Sequence, residues 1–360
     1  MKKIERYLFT ELLKIFSLAF LASLALYLVV DFFERITMLI ENETSLRASL
    51  LFFIYKIPII ITQITPIALL LAIVISLGSL HRRNEINAIR SSGIRNIYIF
   101  RPFLVVGIGV SLLLLLFSET IVPLANFKME YIKNIEIKKQ KPGNLAAKEI
   151  WFRDANSIFH IESVSPDRKS LRGIHIWNFS SEFEIQNRID SPEATWIGKG
   201  WQAVSSITHW PGSGSAAEPQ AHLRQKTLLP IPQAPEDFAL VILDPEEMNF
   251  FELQKYIGQL KKTGQETQPL LVDLHAKISV PFLALIITFL GFPLGLRFGR
   301  QGGILVGIFT SLVAGFAFWI LLALGLSLGH AGLLPPLVGA WASHVIFASG
   351  GVLLMKDEYA

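Results

Sequence analysis

Six stretches of this 360-residue chain are each long and apolar enough to cross a bilayer, and no other feature restricts its fold as strongly. A spanning helix needs about 20 mostly apolar residues. The stretches that meet this are Leu12–Phe33, Leu50–Leu77, Tyr98–Val122, Leu274–Leu296, Gly303–Leu328 and Leu334–Met355. In lipid every backbone N–H and C=O must be satisfied within the span, so each is expected to be a helix. The second carries Pro58 and Pro66, which predict a kink or tilt. The fourth carries Pro281 and Pro293, tolerated where neighbouring groups satisfy the freed carbonyls. Composition agrees with lipid-facing surface: 51% of the residues are hydrophobic and 17% charged, where soluble domains carry about 25% charged residues. Lys2 and Lys3 before the first run resemble the start of a signal peptide. That run exceeds the about 7–15 apolar residues of a signal sequence and is followed by no small-x-small cleavage site, so it reads as a retained helix.

Lys and Arg near the span ends set the expected orientation. One side holds Lys2, Lys3, Arg6 and Lys14, then Arg82, Arg83, Arg90, Arg95 and Arg101, then Arg297, Arg300 and Lys356. The opposite short connections hold Arg35 and Arg47, and none between Leu328 and Leu334. Both termini, and the loops around Arg90 and Arg300, are therefore expected in the cytoplasm. The segment between the third and fourth spans, with Gly214 near its middle, is expected outside the cytoplasm.

That segment, 123–269, divides the chain into 1–122 and 270–360, each with three spans. It opens with a charged stretch, Lys128–Lys141, expected to extend the third helix. Short alternating runs follow at Ile150–Arg153, Ile158–Val164, Gly173–Phe179 and Glu182–Ile189. The turn residues Asp154-Ala155-Asn156, Ser165-Pro166-Asp167 and Ser180-Ser181 separate them. In the last run Phe183 and Ile185 alternate with Glu182, Glu184 and Gln186, the pattern of a half-buried strand. Trp196 and Trp201 flank Gly198-Lys199-Gly200 as in a hairpin, and Pro211–Pro219 reads as a loop. The spacing predicts an all-β antiparallel sandwich or jellyroll-like domain. Near its end Pro245–Lys262 (the helix itself about 246–262) places Phe250, Leu253, Tyr256, Ile257 and Leu260 on one helical face, with Gly264 as cap.

Catalytic chemistry has no visible carrier. There are no cysteines, which excludes disulfides, thiolate catalysis and thiolate metal sites. The net charge of +4 does not suggest nucleic-acid binding. No P-loop occurs, the eight histidines are scattered without metal-ligand spacing, and no serine sits in a nucleophile elbow. The leads are charges at or in the membrane. Asp31, Glu34 and Arg35 lie at the outer end of the first span, Lys56 about two turns inside the second, and His344 within the sixth. The cluster at 31–35 is either an ordinary solvated interface or a polar entrance for an amphiphilic ligand, and Lys56 can simply snorkel. Gly303, Gly307, Ser311 and Gly315 recur every four residues in the fifth span. Small faces let helices approach closely, as plain packing or as a seam that opens to lipid.

The cytoplasmic segment His81–Asn96, HRRNEINAIRSSGIRN, holds a short amphipathic helix over about 82–92. Ile86 and Ile89 form its apolar side, Arg82, Arg83, Glu85 and Arg90 its polar side, and Gly93 sits where a cap belongs. Such a helix lies on the membrane or docks into another protein. Its acidic residue, Glu85, either enters a partner's groove or pairs with Arg82 three residues before it.

Several segments carry a resemblance over nearly the whole chain: RYLFTELLK near the N-terminus, RRNEINAIRSSGIR, IWFRDANSIFHIESV with GIHIWNF, and LDPEEMNFFELQKYIGQLKKTGQ before the fourth span. In this order, around a three-span, β-domain, three-span layout, the chain resembles the LptF/LptG permease family of lipopolysaccharide export, and within it the LptG branch more closely. The resemblance implies a bacterial inner-membrane protein that pairs with a second permease (LptF) over a dimer of a cytoplasmic ATPase (LptB). ATP and Mg would belong to that ATPase, with no cofactor in this chain. Arg82, Arg83, Glu85, Ile86, Ile89 and Arg90 would form the coupling helix in a groove of the ATPase, with Glu85 at the family's acidic position. The β domain would lead toward LptC and the periplasmic bridge (LptA). Lipopolysaccharide would enter between the first and fifth spans of the paired permeases, here Phe32, Phe33 and Arg35 facing Gly307, Ser311 and Gly315. Closure of the ATPase would move the coupling helix, collapse the cavity and push the lipid outward. Each buried CH₂ contributes about 0.8 kcal/mol, so extracting a multi-acyl lipid needs an external energy source. One departure stands out. LptG-type proteins can carry several lysines at the outer end of the first helix, whereas VVDFFERITMLIENE holds Arg35 as its only basic residue. Phosphate contact would then fall to Arg47, Lys56 or the second permease.

Two other readings rest on the residues alone. A secondary transporter needs charged relays near the bilayer centre and internal repeats, and the third to fifth spans are nearly free of central charge. A membrane-anchored sensor with a ligand-binding β domain needs fewer than six spans.

Overall fold

The computed structural model describes residues 2–139, 150–154, 156–165, 169–210, 220–235, 245–262, 265–301 and 303–359. The expected loop Pro211–Pro219 with Gly214, the Gly264 cap, the turn residues Ala155, Pro166 and Asp167, the end of the charged stretch at Lys141 and the side chain of Arg300 lie outside them. Two compact units make up the chain: Met1–Glu41 with Phe53–Asn126 and Gln268–Ala360, and Asn42–Phe52 with Phe127–Thr267.

The first unit is helical. The helices are α1 (Lys2–Glu41), α2 (Leu46–Arg82), α3 (Glu85–Ser91), α4 (Asn96–Tyr131), α6 (Gln268–Gln301), α7 (Gly303–His330) and α8 (Pro336–Tyr359), with residues 46–52 of α2, 127–131 of α4 and all of α5 (Phe250–Lys262) in the second unit. All but α3 and α5 are long and apolar enough to span a membrane, so the six-span expectation holds. The prolines sit inside α2, α4 and α6 without ending them. In the turns before Pro66 the hydroxyls of Thr62 and Thr65 donate to the carbonyls of Ile59 and Ile61.

Small residues bring these helices together. A methyl group built on Gly107 of α4 would lie 2.3 Å from Thr288 Oγ1 of α6, and Ser111 Oγ donates to the Pro281 carbonyl across the same contact at 2.9 Å. The Gly325 position of α7 faces the Gly339 backbone of α8, and Gly351 faces the Phe289 carbonyl. Without a hydrophobic drive between helices in lipid, such close approach maximises van der Waals contact. Phe100 and Phe103 of α4 close the seam on Phe292 with ring centroids 4.9 and 5.5 Å apart.

The second unit carries β1 (Ile150–Asp154), β2 (Ser157–Val164), β3 (Ser170–Phe179), β4 (Ile185–Trp196), β5 (Trp201–Ala203), β6 (Ser205–Trp210), β7 (Gln220–Gln225) and β8 (Leu228–Leu229). Every described pairing is antiparallel: β1 to β4 pair in succession, β4 pairs both β5 and β6, and these pair β8 and β7. Residues 201–210 and 220–229 therefore run as two bent strands, interrupted at Val204 and at Lys226, whose φ is 52°. The inserted antiparallel domain is thus an up-and-down meander. One core cluster buries Phe159, Ile161, Leu171, Ile174, Ile176 and Trp201, with Phe159 in register on Ile176 and Ile161 on Ile174. The expected Trp196–Trp201 hairpin is present, with the two tryptophans paired and Ile197 N–H bonded to the Gly200 carbonyl.

One expected strand is corrected. Residues 182–184 form a turn and β4 starts at Ile185. Ser180 Oγ accepts from the N–H of Glu182 and of Glu184, and Phe183 takes a φ of 64°. Local side-chain bonds to the backbone outcompete strand pairing there. Phe183 consequently stacks on Phe179 at the surface rather than in a core. The charged extension of the third span is α4 followed by a π-helical turn, Ile132–Ile137.

Candidate functional site

The cytoplasmic segment begins where Arg82 closes α2. Asn84 adopts the left-handed region (φ 56°), which asparagine tolerates better than most residues. The chain breaks there, so the expected single helix over 82–92 is the seven-residue α3. Gly93, with φ 75°, ends it, and Ser92 and Gly93 N–H bond back to the Ala88 and Arg90 carbonyls.

The apolar side of α3 points inward. Ile86 is fully buried in the cluster that holds Leu8 and Leu12 of α1, Leu77 and Leu80 of α2 and Ile99 of α4, and Ile89 packs against that cluster. Both were expected to be available to a partner's groove. They are instead held by this chain's own membrane unit, because burial of an isoleucine side chain contributes about 1.5–3 kcal/mol. The surface α3 leaves exposed is Asn87, Ala88 and Ser91. Arg90 Nε donates to Asn96 Oδ1 at 3.0 Å, and Arg82 is exposed at the end of α2.

Glu85 is held at both oxygens. Tyr7 Oη of α1 donates to Oε2 at 2.8 Å, and Arg83 Nε lies 3.1 Å from Oε1. Arg83 Nη2 also donates to Glu11 Oε1 of α1 at 2.7 Å. The expected Arg82–Glu85 pair is replaced by Arg83–Glu85, since the break at Asn84 removes the helical spacing that pair needs. Tyr7 and Glu11 were not singled out from the sequence. Their spacing of four on one face of α1, below its apolar run, is the only local signal of them.

The outer end of α1 forms a second polar cluster. Asp31 is 4% exposed and Lys56 of α2 is 8% exposed, and the two are ion-paired through Asp31 Oδ1. Arg35 Nε lies 3.1 Å from the same oxygen, while Asp31 Oδ2 is buried with no hydrogen-bond partner among the described residues. One turn inward, Tyr27 Oη donates to Gln63 Oε1 at 2.9 Å. Lys56 therefore does not snorkel, and Asp31 is not a solvated interfacial carboxylate. Desolvation favours pairing the two charges over leaving either alone. Phe32 and Phe33 stand exposed beside this cluster, their rings edge-on to one another, with Phe32 against Phe53 of α2.

The small face of α7 turns inward. Gly307, Ser311 and Gly315 are all buried, Ser311 completely. Ser311 Oγ donates to the Gly307 carbonyl, and the Gly315 position faces Leu70 of α2. These three do not face lipid in this chain, because their lack of bulk is what lets α7 pack. The open face of α7 is Leu305, Phe309, Leu312 and Phe316. His344 is buried between the rings of Phe318 and Trp341, a core histidine.

On the β domain a polar row unforeseen from the sequence crosses four strands in register: Trp151, His160, His175 and Asp190. Trp151 stacks on His160 at 4.2 Å, and Asp190 also binds Arg188 and faces His209. Single members on separate strands give no linear motif.

Comparison with known proteins places the chain. A family model described as "Lipopolysaccharide export system permease LptF/LptG" matches residues 6–357. The chain is similar to the lipopolysaccharide export system permease protein LptG of Escherichia coli (strain K12), 23% identical over 286 residues and covering 76% of each chain. It is also similar to the protein of that name from Haemophilus influenzae (strain ATCC 51907 / DSM 11121 / KW20 / Rd), 20% identical over 328 residues and 88% of each. A match over that length, on six spans and an inserted antiparallel domain, leaves one conclusion: the chain belongs to the lipopolysaccharide export permease family LptF/LptG.

Proposed function

We propose that this chain is the LptG-type permease subunit of an ATP-driven exporter that lifts lipopolysaccharide out of the inner membrane and passes it to a periplasmic bridge. The observation that carries the reading is α3, a short helix set between two spans and seated on the inner end of α1, in a chain whose sequence holds no nucleotide-binding motif. A partner must then hydrolyse the ATP. The family supports an ATPase dimer (LptB) in that role, with ATP and Mg bound there, a second permease (LptF) completing the cavity, and LptC and LptA receiving the lipid. This chain contributes binding and motion, not bond chemistry. Both termini and α3 lie in the cytoplasm and the β domain in the periplasm, by the arginine asymmetry of the short connections.

Lipid enters between the first and fifth spans of the paired permeases; this chain contributes Phe32 and Phe33, exposed at the outer end of α1, and the open face of α7 (Leu305, Phe309, Phe316). Arg35 and Lys56 are both paired with Asp31, and Lys56 is buried. The headgroup phosphates are therefore held chiefly by Arg47 or by the second permease. The ATPase reads α3 through Arg82, Arg83, Glu85, Arg90 and the exposed Asn87 side, while Ile86 and Ile89 fix the helix from behind.

The test is purification of the tagged chain from its native membrane in mild detergent, with mass spectrometry of bound protein and lipid. An ATPase subunit, a second permease and lipopolysaccharide are expected. A chain that carries lipopolysaccharide but no ATPase, under conditions that preserve its other membrane complexes, contradicts the reading.

A further inference from the structure

We propose that α1 is a rigid lever that carries the movement of α3 directly to the lipid entrance, with Tyr7, Glu11 and Arg83 as the positioning residues that latch it. The proposal rests on the functional reading above and adds the mechanical path within this chain.

Four observations converge. First, α1 is stiff. It runs 40 residues unbroken, about 60 Å at 1.5 Å per residue, and it is the one spanning helix with neither glycine nor proline, the residues at which helices bend. Second, α1 is loosely held along its length. Only 6% of its apolar window is buried inside the chain, against 61% for α2 and for α6. A cleft of about 490 Å³ separates its Phe9, Leu13 and Phe20 from Val105 and Leu113 of α4. Third, its inner end is tied to α3 by two kinds of contact. Ile86 is buried with Leu8 and Leu12, and the chain Tyr7–Glu85–Arg83–Glu11 joins the same two helices by hydrogen bonds. Fourth, its outer end carries the entrance residues Phe32 and Phe33 on the same continuous helix, and is tied to α2 by the buried Asp31–Lys56 pair, which would serve as the pivot.

A displacement of α3 then has one rigid route to the entrance. Exposed ion pairs taken singly contribute little to stability, so the polar chain does not hold the fold. Its role is directional: the buried Ile86 keeps α3 seated, while the four polar side chains fix which way α1 turns when α3 moves. Since both oxygens of Glu85 are engaged within the chain, a cation on the ATPase that engages Glu85 competes with Tyr7 and Arg83 for the same carboxylate. That exchange makes α1 sense docking.

The test uses the full permease–ATPase complex in nanodiscs. The chain has no cysteine, so spin labels at Ile40→Cys on α1 and Leu337→Cys on α8, both exposed, report a single distance. Two latch variants leave Ile86 and the ATPase-facing side chains intact: Tyr7→Phe with Glu11→Gln, and Glu11→Gln alone. With the latch intact, trapping the ATPase with ATP and vanadate is expected to shift the distance. In the variants the ATPase is expected to copurify and hydrolyse ATP while the shift and the lipid delivered per ATP are both lost. A full shift in the variants overturns the lever and leaves the permease function standing. An unchanged distance with the latch intact, in complexes that still deliver lipid, overturns it too. A complex that hydrolyses ATP without delivering lipid even with the latch intact overturns the functional reading itself.

Discussion

The Asp31–Lys56 pair gives the sharpest quantitative expectation. Its side chains are 5% and 9% exposed, and among the described residues Asp31 Oδ2 has no hydrogen-bond partner, so each charge depends on the other. Lys56→Met keeps the length and apolar stem but removes the ammonium. The carboxylate is left with Arg35 alone, on the oxygen it already uses. Breaking one side of a buried pair costs about 3–5 kcal/mol, and the surviving Arg35 contact places this case at the lower end. Asp31→Asn strands the ammonium in the same way. Removing both charges together is different, because replacing a buried pair by neutral groups is often neutral or stabilising by about 1–4 kcal/mol. The assay is a double-mutant cycle on thermal unfolding of the purified protein in one detergent, followed by intrinsic tryptophan fluorescence. Each single variant is expected to unfold several degrees below the parent, and Asp31→Asn with Lys56→Met to unfold above either single. If the double variant falls by the sum of the singles, the two charges are not coupled and the pivot at the outer end of α1 does not exist.

Three further outcomes follow from the same contacts. Ile86→Ala should destabilise the protein by about 2–5 kcal/mol, the cost of a large-to-small change in a core, and should loosen the ATPase, whereas Asn87→Ala on the exposed side should leave the unfolding midpoint unchanged. Gly107→Leu should lower the midpoint by driving a side chain into Thr288, and Thr288→Ala should recover part of the loss. Single cysteines at residues 90 and 214, probed with an impermeant maleimide in intact spheroplasts, should label at 214 only, and labelling at 90 only would invert the topology.

The membrane architecture was legible because length and apolarity act locally: a run such as Tyr98–Val122 has few alternatives to a spanning helix. The end of α3 was legible for the same reason, Gly93 being a residue whose backbone freedom is used where it stands. What failed to show was pairing at a distance and facing. Tyr7 and Glu85 are 78 residues apart and Asp31 and Lys56 are 25 apart, so no local pattern joins them. Ile86 was seen as apolar, but an apolar face does not say whether its own chain or a partner covers it. The small face of α7 was likewise read correctly as a close-packing surface and assigned the wrong neighbour, since only the packing of α2 decides where Gly315 points. At Phe183 alternation suggested a strand, and the Ser180 hydroxyl, bonding two backbone N–H groups, made a turn.

The account's central claim is that lipid bound at the outer end of α1 is moved to the β domain by ATP hydrolysed on a partner. Photo-crosslinking amino acids at Phe32, beside the entrance, and at Phe152, against the core of the β domain, test it in proteoliposomes containing the permease pair, the ATPase and lipopolysaccharide. Without ATP, crosslinks to lipid should form at Phe32 and not at Phe152. On adding ATP they should appear at Phe152, and a hydrolysis-dead ATPase should abolish that appearance. Lipid captured at Phe152 equally with and without ATP, or never captured at Phe32, contradicts the claim.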